Sequence, residues 1–332
     1  MSLSLLYLDA AGAHRARVCD LLMRDARFGP IVVDDRSRCL DDLWSGGDAP
    51  ETPQIVLVAV DAVPQAIPAI ARLMARAPLP IVAMATSGDV RAVDALAAGA
   101  LAIEDRLAED SDGAMLTQTL LDMSEVRTVK RRTGRPTSPS APSSIIEWVV
   151  LGASTGGPPA LESVLSSLPA DGPPVLVCQH ITDGFCAGFA TWLQGRLPQV
   201  VALGEDGMKP GAGDVIIAPD RHHMTLVRAR IVTHAQPADT RYRPSIDVLF
   251  RSLLEHGPRV AAALLTGMGE DGASGLLGLR QAGALTIAQD EATSVVFGMP
   301  RAAIAMGGAG EVLPLDQIGP RFASLLRRQP RA

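Results

Sequence analysis

The chain has 332 residues, 47% of them hydrophobic, and a formal net charge of −6. That length suits two domains with ample apolar core, and the acidic balance argues against a general nucleic-acid binder. No apolar run is long enough to cross a membrane, so no membrane insertion is expected. The N-terminal MSLSLLYLDAAGAHRARVCD lacks the basic start of a signal peptide, which points to a cytoplasmic location.

In chain order, strand-like apolar runs alternate with helical patterns. "LLYLDA" precedes "AHRARVCDLLMRDA", "IVLVAV" (55–60) precedes "AIPAIARLMARA", "PIVAMA" (80–85) precedes "DVRAVDALAAG", and "ALAIE" (100–104) precedes "AMLTQTLLDMSEV". With the weaker "PIVVDD" and "SRCLDDLW" (37–44) this makes five strand-helix units, the order of a parallel sheet covered on both faces. The basic, then Pro- and Ser-rich "KRRTGRPTSPSAPSS" (130–144) has no apolar periodicity and reads as linker. The organisation expected is a first domain over 1–123, a linker over 124–146 and a second domain over 147–332.

Beyond the linker the alternation resumes with "WVVLGA", "PALESVLSSL", "PVLVCQH" and "FCAGFATWLQGRL". The stretch from 200 to 237 is rich in Gly and Pro with short apolar runs ("DVIIAP", "MTLVRA", "IVTHAQ"), and it reads as antiparallel hairpin material. Then come the helix "SIDVLFRSLLEHG", the strand "VAAALLT", the helix "GASGLLGLRQAG", the strand "LTIAQD", a short helix "PRAAIAMGG", an edge strand "EVLPL" and a closing helix "IGPRFASLLRR". The cysteines Cys19, Cys39, Cys178 and Cys186 show no metal or redox spacing and read as free thiols in a reducing compartment.

The chemistry concentrates in "VVLGASTGGPPALESVL" (149–165). A strand stops at Gly152, and Ser154 follows among small residues. A phosphate-binding turn is ruled out: the glycine spacing is wrong for a dinucleotide fold, the next strand ends in Gln179 and His180 rather than an acid, and there is no phosphate-loop lysine. "GASTG" fits G-x-S-x-G, in which a strand turns sharply into a helix and exposes the serine hydroxyl; the same residues also suit a plain helix cap. A nucleophilic serine needs a base and an orienting acid. Of the six histidines, His180 ends the strand one unit after the serine, and ligands in open parallel sheets sit at the carboxyl ends of strands. His222 and His223 flank a turn and read as exposed turn residues, with a place in the substrate site as the alternative; His234 falls mid-strand, His256 closes a helix and His14 lies in the first domain. For the acid, Glu270 and Asp271 stand in the Gly-rich loop after "VAAALLT", with Asp290 after "LTIAQ" as second choice.

The motifs "GASTGG", "QH", "RPSIDVLF", "LLTGMGEDG" and "FGMPRAAI" together resemble the chemotaxis protein-glutamate methylesterases, over residues 147 to 320. The resemblance implies a Rossmann-like doubly wound catalytic domain with a hairpin insertion behind a flavodoxin-like receiver domain. It implies a triad of Ser154, His180 and Asp271, with the Met268 N–H serving the oxyanion and Thr155 beside the nucleophile. The implied substrate is a glutamate γ-methyl ester in the cytoplasmic signalling region of a methylated chemoreceptor, with glutamine deamidation as a second activity and no cofactor or metal. A chemosensory kinase or adaptor is the expected partner of the first domain. A small-molecule serine esterase, marked by a deep apolar pocket, and a non-catalytic scaffold are the competing readings.

The receiver chemistry implied by the same resemblance is depleted. Asp9 is followed by Ala10 where an acidic pair belongs, and Arg106 stands where a lysine belongs. Val60 falls at the usual phosphoacceptor position, with Asp61 adjacent. No phosphoacceptor is therefore expected, and a lone Asp9 is a poor Mg²⁺ site.

Overall fold

The computed structural model describes residues 2–35, 53–76, 78–108, 111–126, 145–235 and 242–326. The helix expected at 37–44 and most of the expected linker lie outside them. The chain divides into two compact units, Met1–Lys130 and Arg131–Ala332.

The first unit runs β1 (Leu3–Leu8), α1 (Ala13–Arg24), β2 (Phe28–Asp34), β3 (Ile55–Ala59), α2 (Ala66–Arg76), β4 (Ile81–Ala85), α3 (Val90–Ala98), β5 (Ala102–Asp105) and α4 (Ala114–Ser124). The strands pair in parallel in the order β2-β1-β3-β4-β5, the flavodoxin-like arrangement. Every residue of "LSLLYL", "IVLVA" and "IVAMA" is buried, as two covered sheet faces require. α3 starts on Asp89, whose carboxylate accepts the Arg91 N–H, and stops at Gly99. The chain leaves β1 toward β2 on one side and returns to β3 on the other. The carboxyl ends of β1 and β3 therefore flank the crevice of this sheet.

The second unit runs β6 (Trp148–Ala153), α5 (Gly157–Leu165), β7 (Val175–Gln179), α6 (Cys186–Gln194), β8 (Val200–Leu203), β9 (Asp214–Ile217), β10 (His223–Val227), β11 (Arg230–His234) and α7 (Ile246–Ser252). After a 3₁₀ turn, Leu254–Arg259, it continues through β12 (Val260–Leu264), α8 (Ala273–Gln281), β13 (Leu285–Gln289), α9 (Met299–Ala305), β14 (Glu311–Leu313) and α10 (Leu315–Leu326). Its main sheet is wholly parallel, in the order β14-β13-β12-β6-β7-β9-β8. One expectation is corrected here. Among the described residues, only β10 and β11 form an antiparallel hairpin; β8 and β9 join the main sheet as parallel strands. Their four-residue runs carry no direction of their own, and the 204–213 connection lays them side by side.

The hairpin caps the core instead of extending the sheet. Leu226 N–H donates to Ser252 Oγ (3.0 Å), which pins it to α7. Beneath lie Val150, Leu176, Ile216, Phe250, Leu264 and Leu276, all buried, each contributing about 1.5–3 kcal/mol on leaving water. The sheet reverses its winding between β6 and β12, so the crevice opens over those two strand ends.

Candidate active site

Ser154 and the loop Thr266–Met268 meet at that crevice. Ser154 N–H donates to the Thr266 carbonyl (3.0 Å), and Gly157 N–H donates back to the Ser154 carbonyl (2.7 Å), closing a tight turn from β6 into α5. Gly156 takes φ 75°, and a Cβ there would lie 2.6 Å from Val295 Cβ, so only glycine fits. A Cβ at Gly267 would lie 2.6 Å from Ser154 Cβ; the loop backbone passes directly against the serine. Thr266 fixes that loop. Its hydroxyl donates to the Thr155 carbonyl (2.9 Å) and accepts the Val296 N–H (2.9 Å), while its own N–H goes to Gln289 Oε1 (2.8 Å). Thr155 and Met268 are half-buried at the crevice.

β7 ends one strand further out. His180 N–H donates to the Ala153 carbonyl (2.9 Å). The Gln179 side-chain amide donates to the carbonyls of Ser154 (2.9 Å) and His180 (2.7 Å), tying the two segments together. His180 Nε2 lies 2.8 Å from Asp271 Oδ2. His180 Nδ1 is buried with no hydrogen-bond partner among the described residues. With the carboxylate on Nε2, that nitrogen carries the ring proton and Nδ1 keeps the free lone pair.

Asp271 is held from every side. Oδ1 accepts from Ser245 Oγ (2.9 Å) and Asp247 N–H (3.1 Å), and Oδ2 accepts from Ile246 N–H (2.7 Å) besides the imidazole. It thus sits on the first turn of α7, whose unpaired N–H groups favour an anion. Burial alone pushes its pKa up. The hydrogen bonds from His180, Ile246 and Asp247 and the attraction of His180 outweigh burial and hold the carboxyl below the usual range. Asp247 next to it is pushed up by burial, with the Asp271 charge adding to the shift.

The structure places the other candidates elsewhere. Asp290 Oδ1 accepts the Thr293 N–H (3.0 Å) and caps a turn away from the imidazole. Glu270 is exposed. His223 corrects the expectation of an exposed turn residue: it is fully buried, and its Nδ1 accepts the Ser245 N–H (3.2 Å), buttressing the segment that grips Asp271. Its neighbour His222 is exposed. A cleft of about 710 Å³ opens beside Asp271, lined by Tyr242, Asp247, Val248, Arg251, Glu270 and Arg301. Tyr242, Gln179, Thr266 and Gln289 escaped the sequence reading. Of these only Gln179 carried a signal, as the neighbour of His180.

In the first unit, the crevice over β1 and β3 holds a second cluster. Val60 is buried in the core, and it is Asp61 whose carboxylate reaches the crevice, which corrects the strand-end count. β3 ends at Ala59, so the alternation of faces no longer applies at residues 60 and 61. Asp61 accepts the N–H and hydroxyl of Thr86 (both 3.1 Å). Arg106 reaches it with Nη2 at 2.7 Å and Nε at 2.9 Å, and reaches Asp9 with Nη2 at 3.1 Å and Nη1 at 3.3 Å. Tyr7 Oη (2.7 Å) and His14 Nδ1 (3.0 Å) complete the shell of Asp9. His14 Nε2 accepts the Leu107 N–H (3.2 Å), and its Nδ1 also lies 2.9 Å from a terminal nitrogen of Arg106. Burial raises both carboxyls, and the bonds from Arg106 and its neighbours bring them below the usual range. The Mg²⁺ that a receiver fold implies does not fit here, because a guanidinium already stands between the two carboxylates.

A hydroxyl at a strand-to-helix elbow, an imidazole on the next strand end and a buried carboxylate bound to it gather at the crevice of a doubly wound sheet, a setting suited to a hydrolase. Comparison with known proteins narrows the class. The profile of the family described as CheB methylesterase matches residues 149–322, and the chain belongs to that family. It is 39% identical over 303 residues to a protein-glutamate methylesterase/protein-glutamine glutaminase of Cupriavidus pinatubonensis, covering 84% of this chain and 88% of the relative. It is 41% identical over 280 residues to the protein-glutamate methylesterase FrzG of Myxococcus xanthus, covering 80% and 83% respectively. Among solved structures, the CheB methylesterase catalytic domain of Thermotoga maritima matches with TM-score 0.53 at 33% identity, over 55% of this chain and all of that one.

Proposed function

We propose that the chain hydrolyses glutamate γ-methyl esters on chemoreceptor proteins and deamidates glutamine side chains there, in chemotactic adaptation. Ser154 Oγ attacks the ester carbonyl, and His180 Nδ1 takes the hydroxyl proton. Asp271, on Nε2, fixes the tautomer and stabilises the imidazolium. The tetrahedral oxyanion is met by the Met268 N–H, with Thr155 beside the nucleophile. Collapse expels methoxide, which leaves as methanol with the proton from His180. Water, deprotonated by the same nitrogen, then attacks the acyl-enzyme and frees Ser154 and a glutamate carboxylate. With a glutamine side chain the group expelled is ammonia.

The observation that carries the reading is the buried, unpartnered His180 Nδ1 on an imidazole whose other nitrogen is held by Asp271. The charged lining of the cleft suits a protein chain better than a small apolar ester. The first unit is proposed as a receiver-derived regulatory domain that no phosphodonor drives and that meets a chemosensory kinase or adaptor, with the protein working in the cytoplasm; no helix among the described residues is long and apolar enough to cross a membrane. Methanol release from methylated receptor membranes, compared between wild type and His180→Ala, tests the assignment. Near-complete loss is expected, and retained turnover would remove His180 from the mechanism.

A further inference from the structure

We propose that Tyr242 is a positioning residue that holds the His180 ring in the plane proton transfer needs. The inference rests on His180 being the base. The Tyr242 ring stacks on the imidazole at 4.4 Å between centroids with 10° between planes. Asp271 holds the imidazole at Nε2 alone, and a ring held by one hydrogen bond can still pivot about it. A parallel aromatic face removes the pivot by contact across the whole ring. Its electron-rich face also favours the imidazolium that forms when Ser154 loses its proton. The same short segment supplies both restraints: Tyr242 stacks on the base, and Ser245, Ile246 and Asp247 grip the acid. Residues 242–247 thereby orient acid and base as one piece. The hydroxyl end of the ring reaches the loop that follows Met268, where a Cβ on Gly269 would lie 3.0 Å from Tyr242 Oη.

The test assays Tyr242→Phe, Tyr242→Leu, Tyr242→Met and Ser154→Ala in the full chain, by methanol release from methylated receptor membranes, with thermal melting as a check of folding. Tyr242→Phe is expected to keep wild-type kcat and KM. The two non-aromatic variants are expected to lose about tenfold in kcat at unchanged KM, the scale of one lost aromatic stack. Wild-type kcat in a non-aromatic variant, a Tyr242→Phe as slow as they are, or a loss falling on KM would overturn the assignment. The two readings fail separately. A wild type that releases no methanol removes the esterase, whereas an active wild type with a dead Ser154→Ala and unimpaired Tyr242→Leu removes only the role of Tyr242.

A different observation, in the first unit, carries a second inference, which deepens the receiver reading. The structure assigns Arg106 as the resident cation of the Asp9–Asp61 crevice. Its guanidinium binds both carboxylates at two points each, a geometry a lysine ammonium cannot supply. The side chain is about a fifth exposed, and those of Asp9 and Asp61 are 2% and 10% exposed. A divalent ion entering there would have to displace a fixed charge and strip both carboxylates of their bonds. The crevice is therefore closed to Mg²⁺, and Asp61 has no free oxygen with which to take a phosphoryl group. The Thr86 and Leu107 amides, which donate to Asp61 and His14, report on it by NMR. Titrating the full chain with millimolar Mg²⁺ should leave both amides unmoved in wild type and shift them saturably in Arg106→Gln. A shift in wild type, or a folded Arg106→Gln that does not respond, would overturn the assignment. Should Arg106→Gln fail to fold, wild type still decides: a Mg²⁺ shift, or a phosphoryl adduct by intact mass after acetyl phosphate, refutes it, and the absence of both supports it.

Discussion

Replacing Asp271 by Asn changes one oxygen into an NH₂ and removes a charge, and the shell of the side chain determines the cost. Oδ2 faces the Ile246 N–H and the imidazole, and Oδ1 faces the Asp247 N–H and the Ser245 hydroxyl. With the NH₂ toward Ile246, that N–H loses its acceptor and the imidazole must accept at Nε2, which puts its proton on Nδ1 and removes the base. With the NH₂ toward Asp247, the Ser245 hydroxyl can turn to accept, but the Asp247 N–H is stranded. Either way one backbone donor is orphaned, at about 1–3 kcal/mol of stability. The two orientations are thus closely balanced, and a large fraction of the enzyme holds the wrong tautomer. The remainder lacks the charge that stabilises the imidazolium. A loss in kcat of about 10⁴-fold follows, the cost of the same change in a serine protease triad. Steady-state methanol release and urea denaturation of Asp271→Asn and Asp290→Asn measure both effects. A larger activity loss in Asp290→Asn, or an Asp271→Asn variant with near wild-type kcat, would remove Asp271 from the orienting role.

Gly267→Ala should lower kcat on the order of 10²-fold, the cost of about 1 Å of misplacement, because the new Cβ must push Ser154 away; an unchanged kcat would show that the loop yields instead. His180→Ala should be nearly as inactive as a nucleophile variant, which intact-mass detection of acyl-enzyme checks: no adduct should accumulate. In the first unit, Asp9 and Asp61 titrate below their unfolded values. Their contribution to stability is complete above about pH 5, where unfolded carboxyls are ionised, and is lost as pH falls through about pH 4 and then the lower folded values. Hydrogen-exchange protection of the Thr86 amide should follow that window, and a loss between about pH 5 and 7 would contradict it.

Much of this was legible in the chain. Continuous apolar runs such as "IVLVA" and "WVVLGA" mark strands buried on both faces, so the two parallel sheets and their carboxyl-end crevices follow from sequence. Ser154 and His180 stand out because each follows such a run directly. The direction of β8 and β9 was not legible, since four residues carry no signal for parallel or antiparallel pairing. The turn of the true hairpin is equally mute: Arg228 and Ala229 both take positive φ without the Gly or Asn that usually marks it. Asp61 was obscured by the end of β3, where alternation stops one residue too early to count on. Tyr242 lies 62 positions from His180 in the sequence, and no local spacing rule links a stacking ring to its partner.

Every step of the proposed mechanism passes through Ser154 as the nucleophile. Methanol released from methylated receptor membranes by wild type and by a folded Ser154→Ala, under one set of conditions, tests it most directly. Steady release by wild type and a fall on the order of 10⁴-fold or more in the variant are expected. Release by Ser154→Ala at a rate close to that of wild type would contradict it.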